Sequence, residues 1–122
     1  MENCIDDLIA KLTYDDRQEP NWSGHVGAVY PRDDGSIAIV RSWADPTAGT
    51  NEERLFLRPG KKGVHVTGFE DRGRDIDFTC PANMSMVDLA KRMLKADGKS
   101  IKALVDAIRG YDANDPYSSY QF

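Results

Sequence analysis

Gly98-Lys99-Ser100, followed by the apolar run that starts at Ile101, has the residue types that close a phosphate-binding loop. Such a loop needs a glycine five positions before the Gly-Lys pair, and it must lead from a strand into a helix. Position 93 is Met, and the residues before Gly98 repeat with a helical period. The backbone amides that would cradle phosphates are therefore expected inside a helix already, and the triplet reads as a helix–helix turn. The same segment has some of the flavour of a helix-turn-helix. Lys91, Lys95, Lys99 and Lys102 make its outer face cationic. A recognition helix usually offers Asn, Gln, Arg or Ser to base edges, whereas this one offers mainly Lys102, Asp106 and Arg109. Nucleic-acid binding through these lysines is kept as a third option.

The second chemistry to weigh is that of a thiol and an imidazole. The chain has two cysteines, Cys4 and Cys80, and two histidines, His25 and His65. None of the four lies two to five residues from another Cys or His, so no zinc signature exists. The stretch SGHVGAVYPRDDGSIAIV (23–40) resembles the His-bearing hairpin of papain-like NlpC/P60 and CHAP hydrolases. That resemblance implies a small thiol hydrolase with His25 as base and Cys4 as nucleophile. Ser42 or Asp45 would orient the imidazole. A cysteine at a helix N-terminus has a lowered pKa, although Asp6 and Asp7 beside Cys4 work against the thiolate. A permuted version uses Cys80, which alternates with Ile76 and Phe78 on the apolar face of a strand. Structural cysteines and a hairpin histidine are the better account of each residue, so the chain is expected to be no enzyme, with the hydrolase as the alternative.

Carboxylates are plentiful, but Asp33-Asp34, Glu52-Glu53, Glu70-Asp71 and Asp75/Asp77 fall in turns or on strand faces that read as solvated. Nothing isolates a pair in an apolar setting, as acid–base catalysis requires. What stands out instead are residues that anchor interfaces. Trp, Tyr and Arg dominate such contacts, and the candidates are Trp22, Trp43, Arg41, Arg54, Arg58, Tyr117, Tyr120 and Phe122.

These residues need elements to hold them. Ile5, Leu8, Ile9 and Leu12 share one helical face, with Asn3 and Asp6 as a capping pair. Tyr14 to Gly24 is polar and reads as a loop. HVGAVY (25–30) and SIAIVRSW (36–43) flank turn residues and make a hairpin. ADPTAGTNEE (44–53) reads as a long loop. RLFLR (54–58) and VHVTGF (64–69) flank a second turn, and DIDFTC (75–80) alternates as a half-buried strand. Ser85 with Asp88 forms a capping box before Met86, Val87, Ala90, Met93 and Leu94, and Ser100 caps a helix whose buried face is Ile101, Leu104, Val105 and Ile108. Gly98 suits a helix end. The expected fold class is α+β: an N-terminal helix, about five antiparallel strands, and two C-terminal helices packed on one face. Residues 1–111 form one domain, and 112–122 are a tail that is either disordered or docked.

Composition bounds the rest. The 122 residues are 40% hydrophobic and 30% charged, with net charge −4, which fits a globular domain rather than a disordered chain. Residues 1–20 hold six acids and two bases, whereas 84–110 hold six bases and three acids. An acidic balance is a poor nucleic-acid footprint. No apolar run reaches the ~18 residues of a membrane span. The start MENCIDDLIAKL lacks the cationic head of a secretory signal. A cytoplasmic location without membrane partner is expected, in a reducing compartment given so few cysteines. The leading expectation is a small acidic binding protein without cofactor. It would act on a protein partner in the manner of inhibitors, immunity proteins or phage and mobile-element accessory proteins.

Overall fold

In the computed structural model, residues 4–17, 24–45, 49–70, 73–112 and 114–122 are described. The elements are α1 (Cys4–Leu12), β1 (Tyr14–Asp15), β2 (His25–Pro31), β3 (Ile37–Asp45), β4 (Gly49–Arg58), β5 (His65–Phe69), β6 (Asp75–Thr79), α2 (Met86–Leu94) and α3 (Ile101–Ile108). The strands form one antiparallel sheet in the order β1-β2-β3-β4-β5-β6, so every strand pairs with its neighbours in sequence. No helix among the described residues is long and apolar enough to cross a membrane.

Three expectations are corrected. The sheet has six strands rather than about five, because Tyr14 and Asp15 leave the loop read over 14–24 and pair with Gly27 and Val26. Most of the loop read over 44–53 is strand: the β3–β4 ladder runs on to Asp45↔Gly49. Its residues are polar and lack the alternation that marks a half-buried strand, so the pairing that extends them is not visible in their composition. Gly98 does not cap α2. Lys95 does so in right-handed geometry, and Gly98 (φ 115°) serves the following turn. Asn3 of the first capping pair lies outside the described residues. The capping box at Ser85/Asp88 and the Ser100 cap form as expected: the Ser85 hydroxyl accepts from Asp88 N, and that of Ser100 from Ala103 N.

Alternation along the strands sorts the sheet into two faces. Val29, Ile37, Ile39, Leu55, Leu57, Val66 and Ile76 point one way and join the apolar faces of the helices in a single core. Leu8, Leu89, Met93, Ile101, Leu104 and Ile108 are fully buried there. All three helices lie on this face. α1 is fastened to α2 by Lys11, whose ammonium donates to the carbonyls of Met93, Leu94 and Ala96 at 3.0–3.1 Å. They lie at and just beyond the end of α2, where helix carbonyls lack their usual i+4 partners and favour a cation. Burial, with the nearby Lys99, pushes the Lys11 pKa down. In the same way Arg92 of α2 donates to Ile108 O at the end of α3 (2.7 Å).

The tail is docked on the helical layer. Gln121 N donates to Arg109 O at 2.8 Å, and the Arg109 guanidinium donates to Phe122 O while lying over the Tyr120 and Phe78 rings.

Candidate functional site

The inner face changes character at one end of the sheet. Along β3 the inward positions run Ile37, Ile39, Arg41, Trp43, and along β4 they run Leu57, Leu55, Glu53. At this end, under the start of α3, polar side chains take over. Glu53 is only 4% exposed. Its Oε1 accepts from Arg41 Nη1 (3.0 Å) and from the backbone N–H of Ile101 at the start of α3 (3.1 Å). One carboxylate thus neutralises a cation and satisfies an orphan amide of a helix N-terminus. Arg41 also donates to Tyr14 Oη (2.8 Å) and to His25 Nδ1 (3.3 Å), and lies over the Trp43 ring at 5.2 Å. A guanidinium has no acceptor, so Nδ1 of His25 is the acceptor in that contact. Lys99 stacks over Tyr14 at 4.6 Å. Gly27 is required beneath, since a Cβ there would collide with Leu12 O and the Tyr14 ring. This corner uses its own cations to fill its own aromatic faces, and its chemistry is that of a structural junction between β1–β4 and α3.

The thiol and imidazole groups are not brought together. Cys80 follows β6, four strands from His25 in β2, a span of roughly 19 Å, and at the opposite end of the sheet, where Thr79 pairs with His65 and His65 in turn with Arg58. Cys4 opens α1, about 12 Å along the helix from Leu12, the residue that meets Gly27 near His25. Both cysteines are buried and neither forms a disulfide. Burial pushes the Cys80 thiol pKa up, away from the thiolate that a nucleophile needs. Ser42 points to the outer face, opposite Val26 and Glu52, so it does not orient the His25 ring. The side chain of Asp45 lies outside the described part of the structure. Among the described residues no cluster of His, Cys, Asp and Glu could hold a metal ion.

The sequence-nominated interface residues are split among three places. Arg41 and Trp43 belong to the inner corner. Tyr120 and Phe122 are spent on the chain's own surface: Tyr120 Oη donates to Asp106 (2.9 Å), and Phe122 packs on Phe78 and Arg92. Tyr117 stands out at 92% exposed. Trp22 lies outside the described residues. The lysines of the nucleic-acid option are also dispersed. Lys102 pairs with Asp106 (2.8 Å), Lys99 covers Tyr14, and Lys95 lines a groove of about 770 Å³ whose rim includes Asp97, Asp106 and Asp112. Lys91 is exposed on α2.

Arg54 and Arg58 lie elsewhere, on the outer face of the sheet, with residues that sequence reasoning passed over. Two cross-strand rows are complete. One runs Tyr30, Ala38, Phe56, Thr67, Asp77; the other runs Ala28, Val40, Arg54, Phe69, Asp75. No helix among the described residues covers this face. Tyr30 is 55% exposed, and Val40, Phe56 and Phe69 are half-buried. Ala38 is buried between Tyr30 and Phe56, although it lies on the open side. Arg54 pairs with Glu52 (2.9 Å), and both side chains are about 40% exposed. The Arg54 Nε is out of solvent without an acceptor, which costs about 1–3 kcal/mol. The signal that could have found this face is the strand alternation itself: Tyr30, Val40, Phe56 and Phe69 are apolar at positions that should read polar if that face were solvated.

Comparison with protein-family models, with curated proteins and with solved structures returns no match for this chain.

Proposed function

We propose that the chain is a small acidic binding protein that acts in the cytoplasm by occupying a protein partner, without a cofactor, through the outer face of its sheet. The inhibitor, immunity and mobile-element accessory classes work in this way. One observation supports the reading. An antiparallel sheet with helices on one side normally turns a polar face to water, and here that face carries Tyr30, Val40, Phe56 and Phe69 beside Arg54 and Arg58. Tyr and Arg are residue types that anchor interfaces, and Phe is enriched in them. The inner corner, by contrast, has its polar atoms committed to internal bonds.

The test is site-specific photocrosslinking in producing cells. A crosslinking residue at position 56 is expected to give a discrete adduct that the same residue at position 87, on the exposed side of α2, does not give. The captured protein is then purified, and its binding in reconstitution is expected to be lost with Phe69→Glu. Equal adducts from both positions, or binding that survives Phe69→Glu, would remove the sheet face as the site.

A further inference from the structure

The sheet has two edges, and they differ. On the β2 edge the backbone groups that face outward beyond β1 belong to Val29 and Pro31, and Pro31 has no N–H. The β6 edge is longer. Cys80 N donates to Val64 O and Glu70 N to Arg74 O, both at 2.8 Å. Both pairs continue the β5–β6 register, so the residues of β6 that bond to β5 are the even-numbered ones, Ile76 and Phe78 among them. Asp75, Asp77 and Thr79 therefore turn their N–H and C=O groups away from the sheet. None of these groups has a hydrogen-bond partner among the described residues. All three residues are exposed, and their side chains stand on the outer face.

Resting on the protein-binding reading above, we infer that this edge takes an extended segment of the partner protein, which pairs antiparallel with β6 and carries basic side chains opposite Asp75 and Asp77. An open ladder of this kind is completed by main-chain bonds, and alternate side chains make the selection. Asp75 makes no ion pair among the described residues. Asp77 shares one carboxylate oxygen with His65 (2.7 Å) in an exposed pair, and a carboxylate accepts more than one donor. Directly opposed residues of an antiparallel ladder share a face. The segment therefore has bases two positions apart on the outer side and apolar residues between them, on the side of Ile76 and Phe78. Asp75 to Thr79 spans about 14 Å. The added strand widens the outer face by one row, beyond Asp75 and Asp77.

The same groups sort the possible occupants. A helix keeps its main-chain donors and acceptors to itself and offers none to this ladder. A second copy of the chain would pair β6 with β6, odd residues against odd. Centred on Asp77, that pairing sets Asp77 against Asp77. A shift toward the start of β6 sets Asp75 against Asp77 or against itself. A shift the other way brings Pro81, which has no N–H, opposite Asp75 or Asp77. Like charges directly opposite destabilise a strand pair. Acids along an edge thus turn away neutral self-pairing and acidic strands while admitting a basic one.

The probe is a capped peptide of about seven residues that alternates lysine with valine, beside a control that alternates glutamate with valine. Each is titrated into the isotope-labelled full chain, and amide hydrogen exchange is read by NMR. In the free chain the amides of Asp75, Asp77 and Thr79 are expected to exchange fast, while those of Ile76 and Phe78 are protected. The lysine peptide is expected to slow the first three and to bind at least about fivefold more tightly than the glutamate peptide. N-methylation of its lysines, whose N–H groups face β6, is expected to abolish binding, whereas N-methylation of its valines is not. The double variant Asp75→Lys with Asp77→Lys is expected to reverse the preference for charge. Slow exchange of all three amides in the free chain, no protection by the lysine peptide, or equal effects of the two methylations overturns the inference. So does a dimer in sedimentation that shields the same amides. An adduct captured through position 56, combined with no protection along β6 by either peptide, leaves the protein-binding reading standing and removes only the added strand.

Discussion

Glu53 shows how one side chain can hold two elements in place. Its carboxylate stands between the Arg41 guanidinium and the first amide of α3. Removing it leaves a poorly solvated cation and an orphan N–H at once. Glu53→Ala is expected to lose about 3 kcal/mol in urea unfolding, while Glu53→Gln, which keeps an acceptor for Ile101 N, is expected to lose clearly less. A result in which both variants cost the same would mean that charge, not the acceptor, is what matters there. Cys80 makes a second test at this scale. Its thiol is buried and its pKa is raised by desolvation, so it is expected to react with iodoacetamide far more slowly in the native protein than in urea. The raised folded value favours the protonated thiol, so its contribution to stability is present below the ordinary thiol pKa and fades as pH climbs through the folded value. Rapid native alkylation near neutral pH would contradict the burial. The sequence already placed Cys80 on an apolar strand face through its alternation with Ile76 and Phe78. It could not place Glu53 inside, because a glutamate next to another glutamate in a polar run reads as solvated, and only the partner across β3 and the start of α3 make its burial tolerable.

At the level of elements, local chemistry was the legible part. Ser85 and Asp88 satisfy each other's backbone donors as the spacing S-x-x-D indicates. The Ser85 backbone N–H, followed by its hydroxyl, holds the Asp88 carboxyl below its ordinary pKa. A carboxyl lowered by folding contributes stability above its unfolded value and loses it as pH falls through the folded value. Asp88→Asn is therefore expected to lower stability by a constant amount above about pH 5 and to converge on the parent protein below about pH 4. Parallel curves across the acid range would show that Asp88 adds nothing through its charge. The strand ends were less legible. β1 and the polar halves of β3 and β4 exist because neighbouring strands offer them backbone partners, and pairing of that sort leaves no periodic trace in the residues themselves. The same holds for the tail. Its aromatics looked fit for an outside partner, but Arg109 and Phe78 were waiting for them on the chain's own surface.

For the molecule as a whole, the two faces of the sheet make opposite demands on mutation. Leu55 is fully buried on the helical side, and Leu55→Ala is expected to cost about 2–5 kcal/mol. Its strand neighbours Arg54 and Phe56 point away from the core. Phe69→Glu on that outer side is expected to shift stability by no more than about 1 kcal/mol, which denaturant titration of both variants would check. A large loss for Phe69→Glu would mean that the outer face is structural. The layered α+β order was readable from the shift in hydrophobic period along the chain; which side of the sheet stays open was not, because that depends on where three helices settle together. The neighbour-to-neighbour strand order carries one more consequence. Every ladder can form by hairpin zippering over short stretches of chain, a low-contact-order route that lets a sheet assemble quickly. α1 meets β2 nearby in sequence, where Leu12 lies against Gly27, but its ammonium clamp reaches Met93, 82 positions downstream. Closure of α1 onto α2 is then a late event in folding. Lys11→Met should speed unfolding in stopped-flow traces while leaving the refolding rate nearly untouched.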